Sequence, residues 1–280
     1  MTQVASSFAK RIQRLRTDAQ ERAGLLLASR AACDVSNSGT ISPEDIAGLL
    51  RSPEITARWD TARSALSDLG ISDRSQGVNA GDRRALYYLM CALGPARVLE
   101  IGTHVGASTM HIAAGMRDAL RRAGEPSLEL TTVDIEDVND TTARPWERFG
   151  SRESPSAIAR RLGFQDVIEF VCQPSLGFLG AVRRPYDFVF LDGDHRARAV
   201  YREIPRALGV LEPGGFILLH DYFPNGLPLW PQTNPVPGPW LAVERLRSEG
   251  MKLRAIPLGT LPWPTKLGSH VTSLALLSRE

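Results

Sequence analysis

The hydrophobic rhythm of the chain changes near residue 78. Upstream, apolar positions recur three and four residues apart in "FAKRIQRLRTDAQERAGLLLASRAA", "SPEDIAGLLRS" and "EITARWDTARSALSDLG". That is the period of amphipathic helices, and no stretch there alternates like a strand. Ser42-Pro43-Glu44-Asp45 reads as a helix start, with a capping serine, a proline at the first helical position and acids in the first turn. Downstream, short apolar runs alternate with helical patterns. "ARVLEIG", "LELTTVDIE", "VIEFVCQ", "YDFVFLDGDH", "GGFILLHDY", "MKLRAIPLG" and "VTSLALLSRE" read as strands. "GASTMHIAAGMRDALRRAG", "SAIARRLG", "ARAVYREIPRALGVL" and "PWLAVERLRSEG" read as helices. Such alternation predicts an α/β chain with a doubly wound, mostly parallel, seven-stranded sheet. The last two runs have no helix between them, which predicts an antiparallel C-terminal hairpin at one edge. The chain thus divides into residues 1–77, a helical cap or dimerisation region, and residues 78–280, a ligand-binding α/β domain. Either role for residues 1–77 would bury the Leu25–Leu27 run.

Residues 222–240, "YFPNGLPLWPQTNPVPGPW", break the rhythm with six prolines. Proline is excluded from helix interiors and central strands, so this segment is either a stiff surface excursion or a substrate-facing lid. Trp230 and Trp240 would wall an acceptor site in the second case and pack into a core or interface in the first. "DVSNSGTISPED" imitates a calcium loop. Ser36 and Ser38 stand where carboxylates belong, and Asp45 is short for the last position. A capped helix start explains the same letters.

Composition narrows the function classes. The 280 residues are 43% hydrophobic and 23% charged, enough for a full core, and no apolar run approaches the length of a membrane span. The net charge of +2 does not suit a dedicated nucleic-acid binder. Cys33, Cys91 and Cys172 are odd in number and widely spaced, which fits a reducing cytoplasm. The basic start "MTQVASSFAKRIQRLR" lacks the apolar core of a secretory signal and reads as an amphipathic helix. The expected partners are a small-molecule acceptor and a second copy of the chain, with neither nucleic acid nor membrane.

Ligands of open α/β sheets sit outside the carboxyl ends of the strands. The first strand ends "EIGTHVGAST", with Glu100 just before Gly102 and Gly106. The spacing is G-x-x-x-G, not the G-x-G-x-x-G that cradles a pyrophosphate. The glycines let a ligand approach the backbone, and the helix starting near Ser108 offers free N–H groups to a carboxylate. Asp134 ends the second strand, where a carboxylate binds ribose hydroxyls. A ligand with an adenosyl group and a carboxylate but no phosphate fits. The fourth strand ends at Asp192-Gly193-Asp194-His195 and the fifth at His220-Asp221. These strands are neighbours in such a sheet, about 4.8 Å apart, so Asp192 and Asp221 face one small space. Paired carboxylates there call for a proton or a cation. A hard divalent ion such as Mg²⁺ suits oxygen ligands and would lower the pKa of a bound hydroxyl. Asp194 or His195 could then take its proton.

The combination "VLEIGTHVGAST … TTVDIED … YDFVFLDGDH … LEPGGFILLHDY" resembles the class I S-adenosylmethionine-dependent methyltransferases, whose sheet is Rossmann-like, over residues 78–280. "VNAGDRRALYYLM" is similar to the segment before the first strand of catechol O-methyltransferases. The resemblance implies that Asn79 and Ala80 contact the methionine part of S-adenosyl-L-methionine. It further implies that Glu100, Gly102, Thr103, Gly106 and Ser108 line its methionine and ribose side, with Asp192 beside them. Asp134 would bind the ribose and Ser175 would lie near the adenine, although Pro174 departs from the family pattern. The acidic ends look like the metal-dependent small-molecule O-methyltransferases of the catechol and macrocin types. There, "D-G-D" supplies a ligand and then the base, and "D-D-Y" supplies two further ligands. This implies a metal set of Asp192, His220 and Asp221, with Asp194 or His195 as the base. His220 replaces an acid of that pattern, and imidazole suits Zn²⁺, Fe²⁺ or Mn²⁺ better than Mg²⁺. The implied activity is methyl transfer to a hydroxyl of a sugar, a phenol or another natural-product intermediate. Methyl transfer to O or N without a metal, and cofactor binding without catalysis, are the alternatives.

Overall fold

Strands β1 (Arg97–Ile101), β2 (Glu129–Asp134), β3 (Ile168–Cys172), β4 (Tyr186–Leu191), β5 (Leu211–Leu219), β6 (Leu253–Pro257) and β7 (Ala275–Arg279) form one sheet in the order β3-β2-β1-β4-β5-β7-β6. The structure is a computed structural model describing residues 2–73, 75–119, 127–182, 184–231 and 233–280, with side chains from residue 10 onward. Strands β1 to β5 pair in parallel, and β7 runs antiparallel to both β5 and β6. The doubly wound sheet and its C-terminal hairpin are therefore as the alternation predicts.

The central strands read as unbroken apolar runs because both faces are covered. Successive side chains point to opposite faces. Val98, Phe188, Phe190 and Leu218 accordingly join one core, while Leu99, Val189, Leu191, Ile217 and Leu219 join the other. Helices α4 (Ala80–Leu93), α5 (Ala107–Ala119) and α6 (Pro155–Arg161) cover the first face. Helices α7 (Ser175–Ala181), α8 (Ala197–Gly209) and α9 (Gly238–Ser248) cover the second. The end of the first helix expected after β1 lies outside the described residues.

The N-terminal helices divide between the two faces. α1 (Thr2–Leu26) packs on α8 and α9, and α2 (Pro43–Leu49) and α3 (Pro53–Asp68) pack on α4 and α5. The chain crosses between them through a parallel bridge of Ser38 with Gly215, the Gly39 N–H donating to the Gly215 carbonyl at 2.7 Å. Burial of the leucine run holds only at Leu25, since Leu26 and Leu27 are 84% and 73% exposed. The side chain of Arg245 reaches the carbonyls of Leu25 and Ala28 where the helix ends. In the "DVSNSGTISPED" segment, Asp34 accepts from Ser36 and Asp45 closes a capping box with Ser42, so both carboxylates serve local turns.

The proline-rich segment is pinned rather than open. Tyr222, Phe223 and Trp230 are buried. The Trp230 indole N–H donates to the Val271 carbonyl at 3.2 Å, and its ring meets Phe223 edge-on. Trp240 packs against the second core. Both tryptophans thus take the packing role. The final strand begins at Ala275, later than the apolar run suggests. Residues 271–274 turn toward the strand ends instead, with the Tyr222 N–H donating to the Ser273 carbonyl at 2.8 Å.

Two buried groups set opposite pH dependences. Burial pushes the imidazole of His111 down to about 3, and its Nδ1 lies 2.7 Å from the Ala107 carbonyl. Burial pushes the carboxyl of Glu100 up to about 7, against hydrogen bonds from Ser108, Thr109 and Thr132. Between about pH 3 and 6.5 the unfolded chain binds the His111 proton and the folded chain does not, so this group's stability contribution falls as pH falls. Between about pH 4.5 and 7 the folded chain holds the Glu100 proton and the unfolded chain does not, so its contribution falls as pH rises. Urea denaturation of Glu100→Gln from pH 4.5 to 6.5 is expected to show stability rising with pH by a few kcal/mol, and His111→Gln the reverse slope. Equal slopes in the two variants would contradict the assignment.

Candidate active site

The carboxyl ends of β1, β2 and β4 open onto a cleft of about 1010 Å³. The turn after β1 is built on glycine. Gly102 has φ +102°, and a Cβ there would come within 2.7 Å of the Asp192 carbonyl carbon. Its N–H donates to the Val133 carbonyl at 2.8 Å. Asp134 ties the rest of the turn down. One carboxylate oxygen accepts the N–H groups of Thr103 and His104 at 3.0 and 2.9 Å, and the other accepts that of Glu136 at 3.0 Å. Each carboxylate oxygen carries two lone pairs, so Asp134 keeps acceptor capacity toward the cleft that it borders. Gln173, Pro174, Ser175 and Leu176 form the wall beyond β3, and Gln20, Glu21 and Gly24 of α1 close the outer side. Glu21 accepts the N–H of Ala197 at the start of α8, at 2.6 Å.

Of the residues expected to bind the cofactor, Gly102, Asp134, Ser175 and Asp192 line this cleft. The Ser175 hydroxyl donates to the buried Glu203 at 2.5 Å. Thr103 is buried with its hydroxyl paired to Thr132 at 2.7 Å. Gly106 ends the turn at φ +75°, and Ser108 is buried in the first turn of α5. Glu100 is fully buried between the sheet and α5, accepting from Thr109 and Thr132. Asn79 caps α4, accepting the Asp82 N–H at 3.1 Å, and Ala80 opens that helix.

A second constellation lies beside the cleft, where β4 and β5 end. His220 Nδ1 is 2.8 Å from Asp192 Oδ1 and 3.6 Å from Asp221 Oδ1. His195 Nε2 is 3.7 Å from both Asp192 Oδ1 and Asp221 Oδ2. Asp221 has φ +52°, a left-handed conformation that Asp tolerates better than most residues, and accepts from the Ser273 hydroxyl at 3.2 Å. Asp194 does not join the group. Its carboxylate is gripped by the guanidinium and N–H of Arg196, which outweigh burial and lower its pKa. Of the two expected bases, the turn at Gly193 therefore brings His195 to the cluster and aims Asp194 at Arg196. Burial works to lower the His220 pKa, but the charges of Asp192 and Asp221 outweigh it and hold the imidazole well above its ordinary value.

Sequence reading missed Asp82, Thr272 and Ser273. Asp82 is fully buried, and its Oδ2 lies 3.5 Å from His220 Nε2. The only signal in the letters was its place three residues after Asn79, where an acid reads as a helix cap. Thr272 and Ser273 carried no signal, because they sit inside an apolar run that reads as strand.

Residues 99–222 match the family model described as a methyltransferase domain. Over these residues the chain is similar to methyltransferases. It is 26% identical over 161 residues to rhamnosyl O-methyltransferase of Mycobacterium bovis, an alignment that covers 58% of this chain and 59% of that protein. The chain thus spans about three fifths of the length of that curated relative. The fold is shared with two solved O-methyltransferases. The Bacillus cereus enzyme, in complex with SAH, is 17% identical, with a TM-score of 0.51 over 86% of this chain and 98% of that one. TomG from Streptomyces achromogenes, involved in tomaymycin synthesis and solved with SAM, is 18% identical, with a TM-score of 0.50 over 79% of this chain and 89% of that one.

Within the matched residues, Asp192 belongs to both constellations. It borders the cleft and lies against His220. Asp192, His195 and His220 present ligand atoms that all lie within 4.8 Å of one another. Neither ring nitrogen of His220 has an aligned hydrogen-bond partner among the described residues. A buried imidazole with unsatisfied nitrogens beside two carboxylates fits a divalent cation, and a mixed nitrogen and oxygen set suits Mn²⁺, Fe²⁺ or Zn²⁺ better than Mg²⁺. No helix among the described residues is long and apolar enough to cross a membrane.

Proposed function

We propose that the protein transfers the methyl group of S-adenosylmethionine to a hydroxyl of a small molecule, with a divalent cation assisting. One observation carries the reading: Asp192 joins an adenosyl-sized cleft to a cluster of two carboxylates and two imidazoles. A sugar hydroxyl is the first candidate acceptor, because the relative named above is a rhamnosyl O-methyltransferase. Phenols and other natural-product hydroxyls form the wider class.

The sulfonium methyl carbon is already electrophilic. The chain has to bring an oxygen nucleophile in line with it and remove a proton. Asp192, His220 and Asp221 would hold the cation, which when bound supplies Lewis-acid assistance to ionising a hydroxyl. His195 remains on the open side of the cluster, about one third exposed, with its Nε2 facing both acids. It takes the hydroxyl proton, and the two carboxylates stabilise the imidazolium that results. The new O–C bond forms as the S–C bond breaks, and sulfur keeps the electron pair.

A metal-free variant of this reading has one observation in its favour. His220, lifted well above its ordinary pKa, can itself neutralise the acids as an imidazolium. A single series of measurements separates these readings. Calorimetry is expected to show binding of S-adenosylmethionine and its demethylated product, and none of NADH. Turnover on hydroxyl acceptors is expected to vanish with a chelator and return with Mn²⁺. Full turnover under chelation selects the metal-free route, and cofactor binding without turnover on any acceptor would refute the enzyme reading.

A further inference from the structure

We propose that Asp82 is a positioning residue of the proposed methyl-transfer site, its buried charge beside Nε2 of His220 keeping the proton on that nitrogen so that Nδ1 faces Asp192 and Asp221. The inference rests on the reading that these groups form the catalytic cluster. It starts from a carboxylate that is out of water. Asp82 is fully buried, and a buried carboxylate costs several kcal/mol unless partners replace its hydration. Thr272 donates its hydroxyl to Oδ1 at 2.6 Å, and Asn79 donates its amide to Oδ2 at 2.6 Å. The remaining side of Oδ2 faces His220 Nε2 at 3.5 Å.

A helix cap alone does not account for this arrangement. Asp82 occupies the third position of α4, where an acid is favoured by the free N–H groups and the helix dipole. A cap of that kind works at the surface, as Asp45 does in α2. Here the helix start is instead pressed onto the connection between β6 and β7. Trp263 donates its indole N–H to the Gly81 carbonyl at 2.8 Å, and a Cβ on Gly81 would come within 2.8 Å of Thr265 Cα. The same connection delivers Thr272. Two segments, the start of α4 and the β6–β7 connection, thus fix one carboxylate against the Nε2 edge of an imidazole.

The two ring nitrogens of His220 point to opposite sides. With Nε2 toward Asp82, Nδ1 is left 2.8 Å from Asp192. The proton on Nε2 is in place whether the ring is an imidazolium or a neutral ligand. A carboxylate behind a ligating histidine orients the ring and strengthens its other nitrogen, and its loss commonly lowers cation affinity about 10- to 100-fold.

The test uses the full chain, Mn²⁺ titration by calorimetry, and ¹⁵N NMR of the histidine rings with His220→Gln assigning the resonance. In the wild type, Nε2 of His220 is expected to carry a proton both with and without a cation. A bare Nε2 with the proton on Nδ1 overturns the proposal without any variant. Asp82→Asn keeps the side-chain shape and removes the charge. It is expected to weaken Mn²⁺ about 10- to 100-fold, move the His220 resonances and lower kcat, with the S-adenosylmethionine KM within about threefold. Unchanged Mn²⁺ affinity together with unchanged His220 resonances overturns it. Thr272→Val, which frees Oδ1 and keeps the charge, is expected to give a smaller shift of the same sign, and it serves if Asp82→Asn does not fold. If the wild type binds no divalent ion, the cation reading falls. The Asp82 proposal is then judged by the ring resonances alone.

Discussion

Asp192→Asn is expected to lower methyl transfer by at least about 100-fold, the scale on which removing one charged group from a reacting centre is felt. The S-adenosylmethionine dissociation constant is expected to stay within about threefold, because Asp192 is one wall residue of a large cleft. The asymmetry follows from geometry. Toward the cleft the side chain offers contact area, whereas toward His220 and His195 it supplies the charge that both imidazoles face. Asparagine keeps the shape and loses that charge. Steady-state kinetics and calorimetry on one preparation check both halves. A variant with full kcat would remove the basis of the proposed function, and one that loses cofactor binding in proportion would reassign Asp192 to the cleft.

Gly102→Ala is expected to destabilise the fold by about 2–4 kcal/mol and to abolish cofactor binding. Two independent costs meet at this position. The backbone sits at φ +102°, where a Cβ is strained, and that Cβ would collide with the carbonyl of Asp192. Relief requires β1 and β4 to separate at the point where Asp192 leaves the sheet. The Asp192 N–H donates to the Ile101 carbonyl at 2.9 Å, so the strain passes into the cluster as well as the cleft. Urea denaturation reads the first effect and calorimetry the second. Gly180→Ala, on α7 with open space around its Cβ, serves as the control and is expected to be neutral or mildly stabilising. A stable Gly102→Ala that binds S-adenosylmethionine normally would show that the close approach is not needed.

The strand ends were the informative letters. Gly102, Asp134 and Asp192 share one cleft because strand order and the ligand position at the carboxyl ends follow from the α/β pattern. His195 and Asp194 could not be told apart that way. Both follow a glycine at a strand end, and only the arginine two residues beyond Asp194 decides which one turns outward. Glu100 shows the opposite limit. The family resemblance implies ligand contact for it, yet strand alternation aims it at the sheet face covered by α5, between Thr109 and Thr132. The late start of β7 could not be read either, since Thr272 and Ser273 lie in an apolar run with ordinary strand character.

The linear order of residues was sufficient for the class of fold, the neighbouring strands at the sheet's centre and the glycine turn that lines the cleft. Those properties rest on periodicity and turn chemistry, which act over a few neighbouring residues. Packing alone decided that His220 lies between Asp192 and Asp82, and that Thr272, 190 residues away in the chain, holds Asp82. Such contacts depend on how far one helix start is pressed onto a distant connection. That distance is set by the side chains filling the space between them, and no local pattern encodes it.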